Sequence, residues 1–167
     1  MKHYVMTALM LAMGWVLHAA VPGVFGMKFD LLLVFMILAI VLYPTLKNAF
    51  LAGVGGGVLT ALTTTFPGGQ IPNFIDKAMT AMIILILFRL LSGVSSEKTK
   101  TILLSCVGTL ISGSIFLTAA LLIVGLPAPF FVLFTGVVLP TCLGNTLISV
   151  VVYKACRLAL KQTSLRS

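Results

Sequence analysis

Apolar residues run along this chain in six long blocks, separated by short clusters of proline, glycine and charge. A bilayer-crossing helix needs about 20 apolar residues, and Pro, Gly and charge clusters mark its breaks. The pattern predicts helices over roughly 4–21, 30–46, 47–65, 76–92, 101–125 and 130–153. A tight turn, Tyr43-Pro44-Thr45-Leu46-Lys47, joins the second to the third. The last is expected to continue as a basic amphipathic tail through Lys154, Arg157 and Lys161. One break is richer than the rest: TTTFPGGQIPNFIDK, residues 63–77, sets Pro67, Gly68, Gly69, Gln70, Pro72, Asn73, Asp76 and Lys77 between two apolar segments.

Composition turns the pattern into a class. The 167 residues are 60% apolar and 8% charged, with mean hydropathy +1.20, whereas soluble domains are about 25% charged. The chain reads as an all-α integral membrane protein of six transmembrane helices, a single domain over 1–167 with no separate soluble part. The opening MKHYVMTALMLAMGWVLHAA has the look of a signal peptide but lacks a small-x-small cleavage site, so it is read as a retained first helix. The net charge of +8 sets eleven Lys and Arg against Asp30, Asp76 and Glu97. Such an excess can mean nucleic-acid binding, but these charges are scattered at helix ends. Anchoring in the lipid bilayer explains them, and no nucleic-acid partner is expected.

With both termini cytoplasmic, the inner side carries Lys2, Lys47, Arg89, Lys98, Lys100, Lys154, Arg157, Lys161 and Arg166, and the outer side only Lys28 and Lys77. That bias is the positive-inside pattern. It puts the loops at 22–29, 66–75 and 126–129 outside.

Catalytic chemistry is hard to find. There is no Walker A motif, no HExxH and no GxSxG, and His3 and His18 are far apart. Cys106, Cys142 and Cys156 are widely spaced in apolar segments and read as packing residues. No enzyme activity, metal or cofactor is expected. Ser112 and Ser114 flank Gly113 and read as helix-backbone or interhelical hydrogen-bonding groups.

Polar groups on the outward side are more telling. Asp30 follows Lys28, and Asp76 precedes Lys77, at the outer ends of the second and fourth predicted helices. Ionisable groups at membrane depth are costly and often functional, although capping a helix is the simpler role for either acid. Pro67 and Pro72 stiffen the 66–75 loop, Gly68 and Gly69 let backbone approach a ligand closely, and Gln70 and Asn73 offer donors and acceptors. A free N-terminus of helix four would suit a ligand carboxylate. Asn145 lies within the apolar last helix and needs a partner. Trp15 and His18 are three residues apart on helix one; the indole could stack on a flat ligand or anchor the helix at the interface. Ala49, Gly53, Gly57 and Ala61 recur every four residues on helix three, and Ala8 and Ala12 make a shorter stripe on helix one. Such stripes permit close helix packing, either internally or against another membrane subunit.

Four stretches carry a family resemblance. GMKFD (26–30), LTALTTTFPGGQIPNFIDK (59–77), GTLISGSIFLTAALLIVGLP (108–127) and VVLPTCLGNT (137–146) resemble the TrpP family of bacterial tryptophan transporters, in the same order over nearly the whole chain. The 59–77 block is the most specific, and the chain departs from the family at Phe29, where a proline often stands. The family's size and topology are similar to the S-components of energy-coupling factor (ECF) transporters. The resemblance implies a multi-pass protein of the bacterial cell membrane that binds L-tryptophan at its outer side. It also implies partners: an ECF coupling subunit and two ATPase subunits, which would explain the missing P-loop, with Ala8 and Ala12 as docking residues. For tryptophan, Asp76 or Asp30 would meet the ammonium, and Lys77, Lys28 or backbone N–H groups the carboxylate. Phe66, Phe74 and Trp15 would enclose the indole beside His18, and Gln70, Asn73 or Asn145 would accept its N–H. A solitary ion-coupled tryptophan transporter, an S-component for a vitamin, and a non-transporting scaffold or sensor are the competing readings.

Overall fold

The computed structural model describes residues 2–20, 23–24 and 27–164, with side chains described for 3–20 and 28–159. Gly26 and Arg166 lie outside the described residues, as do the side chains of Lys2 and Lys161. The apolar blocks form α1 (Lys2–Ala20), α2 (Leu31–Leu42), α3 (Leu46–Thr63), α4 (Gln70–Leu90) and α5 (Glu97–Ile123). A last rod runs through α6 (Phe130–Leu133), a π-helical turn (Phe134–Val138) and α7 (Leu139–Ser164), so the helix does continue into the expected basic tail. Between α1 and α2, β1 (Gly23–Val24) pairs antiparallel with β2 (Met27–Lys28).

Local chemistry sets the boundaries. Asp30 Oδ1 accepts from Leu33 N–H at 3.1 Å, Thr45 Oγ1 from Asn48 N–H at 3.2 Å, and Ser96 Oγ from Thr99 N–H at 3.3 Å. Each satisfies one orphan donor of a helix N-terminus. Pro44 pushes Tyr43 out of helical geometry, so α2 stops at Leu42 and does not reach 46 as expected. Gly125, at φ +84°, closes α5 with its N–H on Ala120 O at 2.9 Å.

The largest departure from the expected boundaries is at α4, which begins at Gln70 and not at 76. Pro72 lies in its first turn, where N–H groups have no intrahelical partner to lose. A proline that reads as a breaker is there an acceptable starting residue. The connection from α3 is therefore confined to 64–69, with Gly68 at φ +68° making the reversal. Asp76 consequently sits inside α4 and cannot cap it. Asp30 does cap α2.

Among the described residues, three helical stretches, His3–Ala20, Glu97–Ile123 and Phe130–Ala159, are long and apolar enough to cross a membrane. α2 is apolar throughout but has 12 residues, about 18 Å of helix. Every residue from Leu32 to Val41 is buried, which identifies α2 as the hydrophobic centre of the bundle. Leu33, Met36, Ile37 and Ile40 pack there with Ala49 and Ala52 of α3, Ala81 and Ile84 of α4, and Leu104 of α5.

The small-residue face of α3 is used inside the protein. A Cβ on Gly53 would lie 2.8 Å from Ala81 Cβ and 3.1 Å from Lys77 O, and one on Gly57 would lie 3.0 Å from the Phe74 ring. Internal packing of α3 on α4 thus accounts for that stripe. Ala8 and Ala12 on α1 are exposed.

Candidate functional site

A half-open cavity, about 550 Å³ of space with its solvent-filled mouth included, lies at one end of the bundle. Element ends build its rim: His18 from α1, Lys28 and Asp30 before α2, Thr64, Thr65 and Phe66 after α3, and Asn73 from the first turn of α4. Deeper walls come from Asp76 and Lys77 of α4, from Thr109, Ser112, Gly113 and Phe116 of α5, and from Val137, Val138 and Thr141 of the last rod. Phe66 stacks edge-on against Phe116 with ring centres 5.4 Å apart, closing one side with aromatic surface.

The floor is an ion-pair cluster. Lys77 Nζ lies 2.6 Å from Asp30 Oδ2, donates to Asp76 Oδ2, and is 3.3 Å from Ser112 Oγ. Asp76 Oδ2 also accepts from Ser112 Oγ at 2.8 Å, and its Oδ1 from Thr80 Oγ1 at 2.9 Å. Asp76 and Lys77 are each 1% exposed, whereas the Asp30 side chain keeps 18%. Buried charges are tolerable only when paired and hydrogen-bonded, and here every charged group has both kinds of partner. His18 Nδ1 stands 3.7 Å from Asp30 Oδ1, and His18 is 5% exposed.

Two backbone features shape the walls. Pro140 has no N–H to offer the carbonyl four residues earlier, and a π-helical turn, a frequent companion of functional sites, precedes it at Phe134–Val138. That turn delivers Val137 and Val138 to the cavity. A Cβ on Gly113 would lie 2.4 Å from Val138 Cγ1, so α5 meets the π-helical turn at a distance only glycine permits. Behind the floor, Asn145 Nδ2 donates to Asp30 O at 3.2 Å and to Thr109 Oγ1 at 3.3 Å, tying α7 to α2 and α5. Among the described residues neither Asn145 Oδ1 nor His18 Nδ1 has a hydrogen-bond partner.

His18, Lys28, Asp30, Phe66, Asn73, Asp76 and Lys77, all expected from the sequence as binding residues, therefore line one cavity. Asn145 stands one layer behind it. Trp15 is 37% exposed and lies outside the lining; Gln70 is exposed at the first position of α4, and Phe74 is 39% exposed with its inner edge on Gly57. Several wall residues were not anticipated: Thr64, Thr65, Thr109, Gly113, Phe116, Val137, Val138 and Thr141; Ser112, expected to make a helix-backbone or interhelical hydrogen bond, makes the interhelical one to Asp76. A signal for some of them exists in the sequence. Ser105, Thr109 and Ser112 repeat at helical spacing on α5, as do Thr141, Asn145 and Ser149 on α7, and all six are buried. A polar stripe on an otherwise apolar helix marks a face turned to something other than lipid.

Residues 1–161 match the family model described as tryptophan transporter TrpP. A probable tryptophan transport protein of Bacillus subtilis is 42% identical over 165 residues, spanning 98% of this chain and 95% of the relative. Proteins with the same description from Clostridium acetobutylicum and Clostridium perfringens are each 40% identical, over 162 and 175 residues, covering 96% and 98% of this chain and 95% and 96% of theirs. No solved structure matches the chain.

Proposed function

The chain belongs to the TrpP tryptophan transporter family, a premise from which we propose that it is a membrane protein binding L-tryptophan in the cavity between α1, α2, α4, α5 and the last rod and mediating its uptake. The observation that carries the reading is the cavity itself: a half-open space with aromatic surface at Phe66 and Phe116 and a charged floor at Asp30, Lys77 and Asp76. A flat apolar side chain with a zwitterionic head needs both. In the proposed orientation the six helical units are arranged across the membrane with both termini inside, the 12-residue α2 buried among the others. That orientation rests on the Lys and Arg bias, Lys47, Arg89, Lys98, Lys100, Lys154 and Arg157 lying away from the cavity end.

The uptake mechanism we propose is that of an ECF S-component. The cavity faces outward, and energy comes from a coupling subunit and two ATPases docked on the exposed Ala8 and Ala12 face of α1. The lack of a Walker A motif supports it. A second reading, solitary ion-coupled uptake, is favoured by the titratable cluster held inside the bundle. Calorimetric titration of the purified protein with tryptophan, phenylalanine, thiamine and biotin tests the ligand, and saturable binding of tryptophan alone is expected. No tryptophan binding at millimolar concentration removes the proposal. Vesicle uptake with and without the coupling and ATPase subunits decides the energy source. Uptake by the lone chain under an ion gradient sinks the S-component reading.

Specificity for indole over phenyl gives a sharper prediction. Asn73 Nδ2 donates to Gly69 O at 2.8 Å, which leaves its Oδ1 as an acceptor at the cavity wall. That oxygen is placed to take the indole N–H in this reading. Asn73→Leu is expected to weaken tryptophan relative to phenylalanine by about 1–3 kcal/mol, the cost of one unpaired polar group. An unchanged tryptophan-to-phenylalanine ratio would take Asn73 out of ligand recognition.

A further inference from the structure

Resting on the tryptophan reading, the hydrogen-bond inventory of the cavity goes further and separates its four charges into two roles. We propose that Asp30 and Lys28 form the clamp for the ligand's zwitterionic head, ammonium on Asp30 and carboxylate on Lys28, while Asp76 is a positioning residue that acts through Lys77.

Saturation distinguishes the groups. Asp76 accepts from Thr80 on one oxygen and from Ser112 and Lys77 on the other, and is 1% exposed. An ammonium has three protons, and Lys77 spends them on Asp30, Asp76 and Ser112 with 1% exposure of its own. Lys77 has no proton left for a ligand without breaking a buried contact, and Asp76, with three of its about four acceptor sites filled, keeps one at a position 1% exposed. Asp30 accepts from Leu33 N–H and from Lys77. A carboxylate has about four acceptor sites, so the partly exposed Asp30 side chain keeps vacancies toward the cavity. Among the described residues Lys28 makes one long hydrogen bond, 3.4 Å to Ala19 O, at the exposed rim. Its remaining protons are available to an anion.

Charge balance points the same way. Two carboxylates, Asp30 and Asp76, and two ammonium groups, Lys28 and Lys77, line the cavity. A zwitterion adds no net charge to that set, whereas a purely cationic or anionic ligand leaves one charge uncompensated in a poorly hydrated place. Lys28 and Asp30 are separated only by Phe29, so opposite charges flank the mouth side by side, as the adjacent head groups of an α-amino acid require.

The test compares L-tryptophan with tryptamine, which lacks the carboxylate, and 3-indolepropionate, which lacks the ammonium, by calorimetry. On the wild type each analogue is expected to bind roughly ten- to a hundredfold more weakly than tryptophan, one lost charge-assisted contact. Lys28→Met should bring tryptophan down to the level of tryptamine without weakening tryptamine, whose single positive charge the variant's cavity balances. Asp30→Asn should bring it down to the level of 3-indolepropionate without weakening that anion, whose charge the variant's cavity balances. Asp76→Asn frees Lys77 to bind Asp30 more closely, so tryptophan loses its advantage over 3-indolepropionate but keeps its advantage over tryptamine. A purely structural Asp76 would scale all three ligands alike. Should Asp30→Asn fail to fold, the wild-type series and the rim variant Lys28→Met still decide. Tryptamine binding the wild type as well as tryptophan, or Lys28→Met weakening all three equally, overturns the clamp. Absence of tryptophan binding to the wild type instead overturns the tryptophan reading.

Discussion

Lys77→Met is expected to destabilise the protein by about 3–5 kcal/mol, the scale measured when one partner of a buried ion pair is removed. Methionine keeps much of the apolar stem but withdraws the ammonium that lies 2.6 Å from Asp30 and also binds Asp76. Two carboxylates would then face each other across a floor where Asp76 is 1% exposed, with Ser112 and Thr80 as the remaining donors to Asp76. Thermal unfolding in detergent measures the loss. The informative control is the neutral triple variant Asp30→Asn, Asp76→Asn, Lys77→Met. It leaves no unpaired charge, and asparagine still caps α2 well, so most of the stability should return while tryptophan binding does not. That pattern would assign the cluster to ligand recognition, since buried ion pairs are often replaceable without loss of stability. Unfolding of Lys77→Met at the wild-type temperature would mean that the two carboxylates are solvated or protonated, and the electrostatic account of the floor would fail.

How much of this floor could be read from the sequence depends on which physical effect each residue reports. Asp30, Asp76 and Lys77 stood out because charge is rare in an apolar chain, and the structure brings all three to one cavity. Their mutual contact was not legible, because it depends on α4 starting at Gln70. Pro72 and the Gly68-Gly69 pair look like loop signals, and only the first-turn exemption of proline turns them into a helix start. Starting α4 early moves Asp76 from a helix end to the interior, and the capping role it was a candidate for disappears. Trp15 and His18 show the opposite limit. Their spacing put them near one another on α1, yet one is 37% exposed and the other 5%, because the edge of a buried helix face falls between them. Ser112 was visible as a residue but not as a ligand of Asp76. A hydroxyl bonded to its own backbone and one reaching another helix look identical in sequence. The π-helical turn was equally hidden, although Pro140, its chemical cause, was in plain view.

The α3–α4 seam allows the second large effect to be predicted with its own internal control. Gly53→Ala places a methyl 2.8 Å from Ala81 Cβ and 3.1 Å from Lys77 O, closer than carbon atoms rest. Overpacking of this kind costs about 1–3 kcal/mol, against which alanine regains at most about 1 kcal/mol of helix propensity. Net destabilisation is therefore expected. Because the crowded backbone atom belongs to Lys77, the displaced α4 should also carry the ammonium away from Asp30, and tryptophan affinity should fall in the same variant. Ala81→Gly alone loses about 1 kcal/mol of propensity and opens a methyl-sized gap. The double variant Gly53→Ala, Ala81→Gly exchanges the two side chains across the seam, restores the summed volume and cancels the propensity change. Its unfolding temperature should return toward wild type, a favourable coupling of roughly 1–3 kcal/mol in the double-mutant cycle, whereas tryptophan affinity should recover less, because the added methyl still lies 3.1 Å from Lys77 O. Full recovery of binding along with stability would show that the Gly53 contact with Lys77 O does not set the position of the ammonium. Simple additivity of the two single variants would show that the helices do not meet at this point.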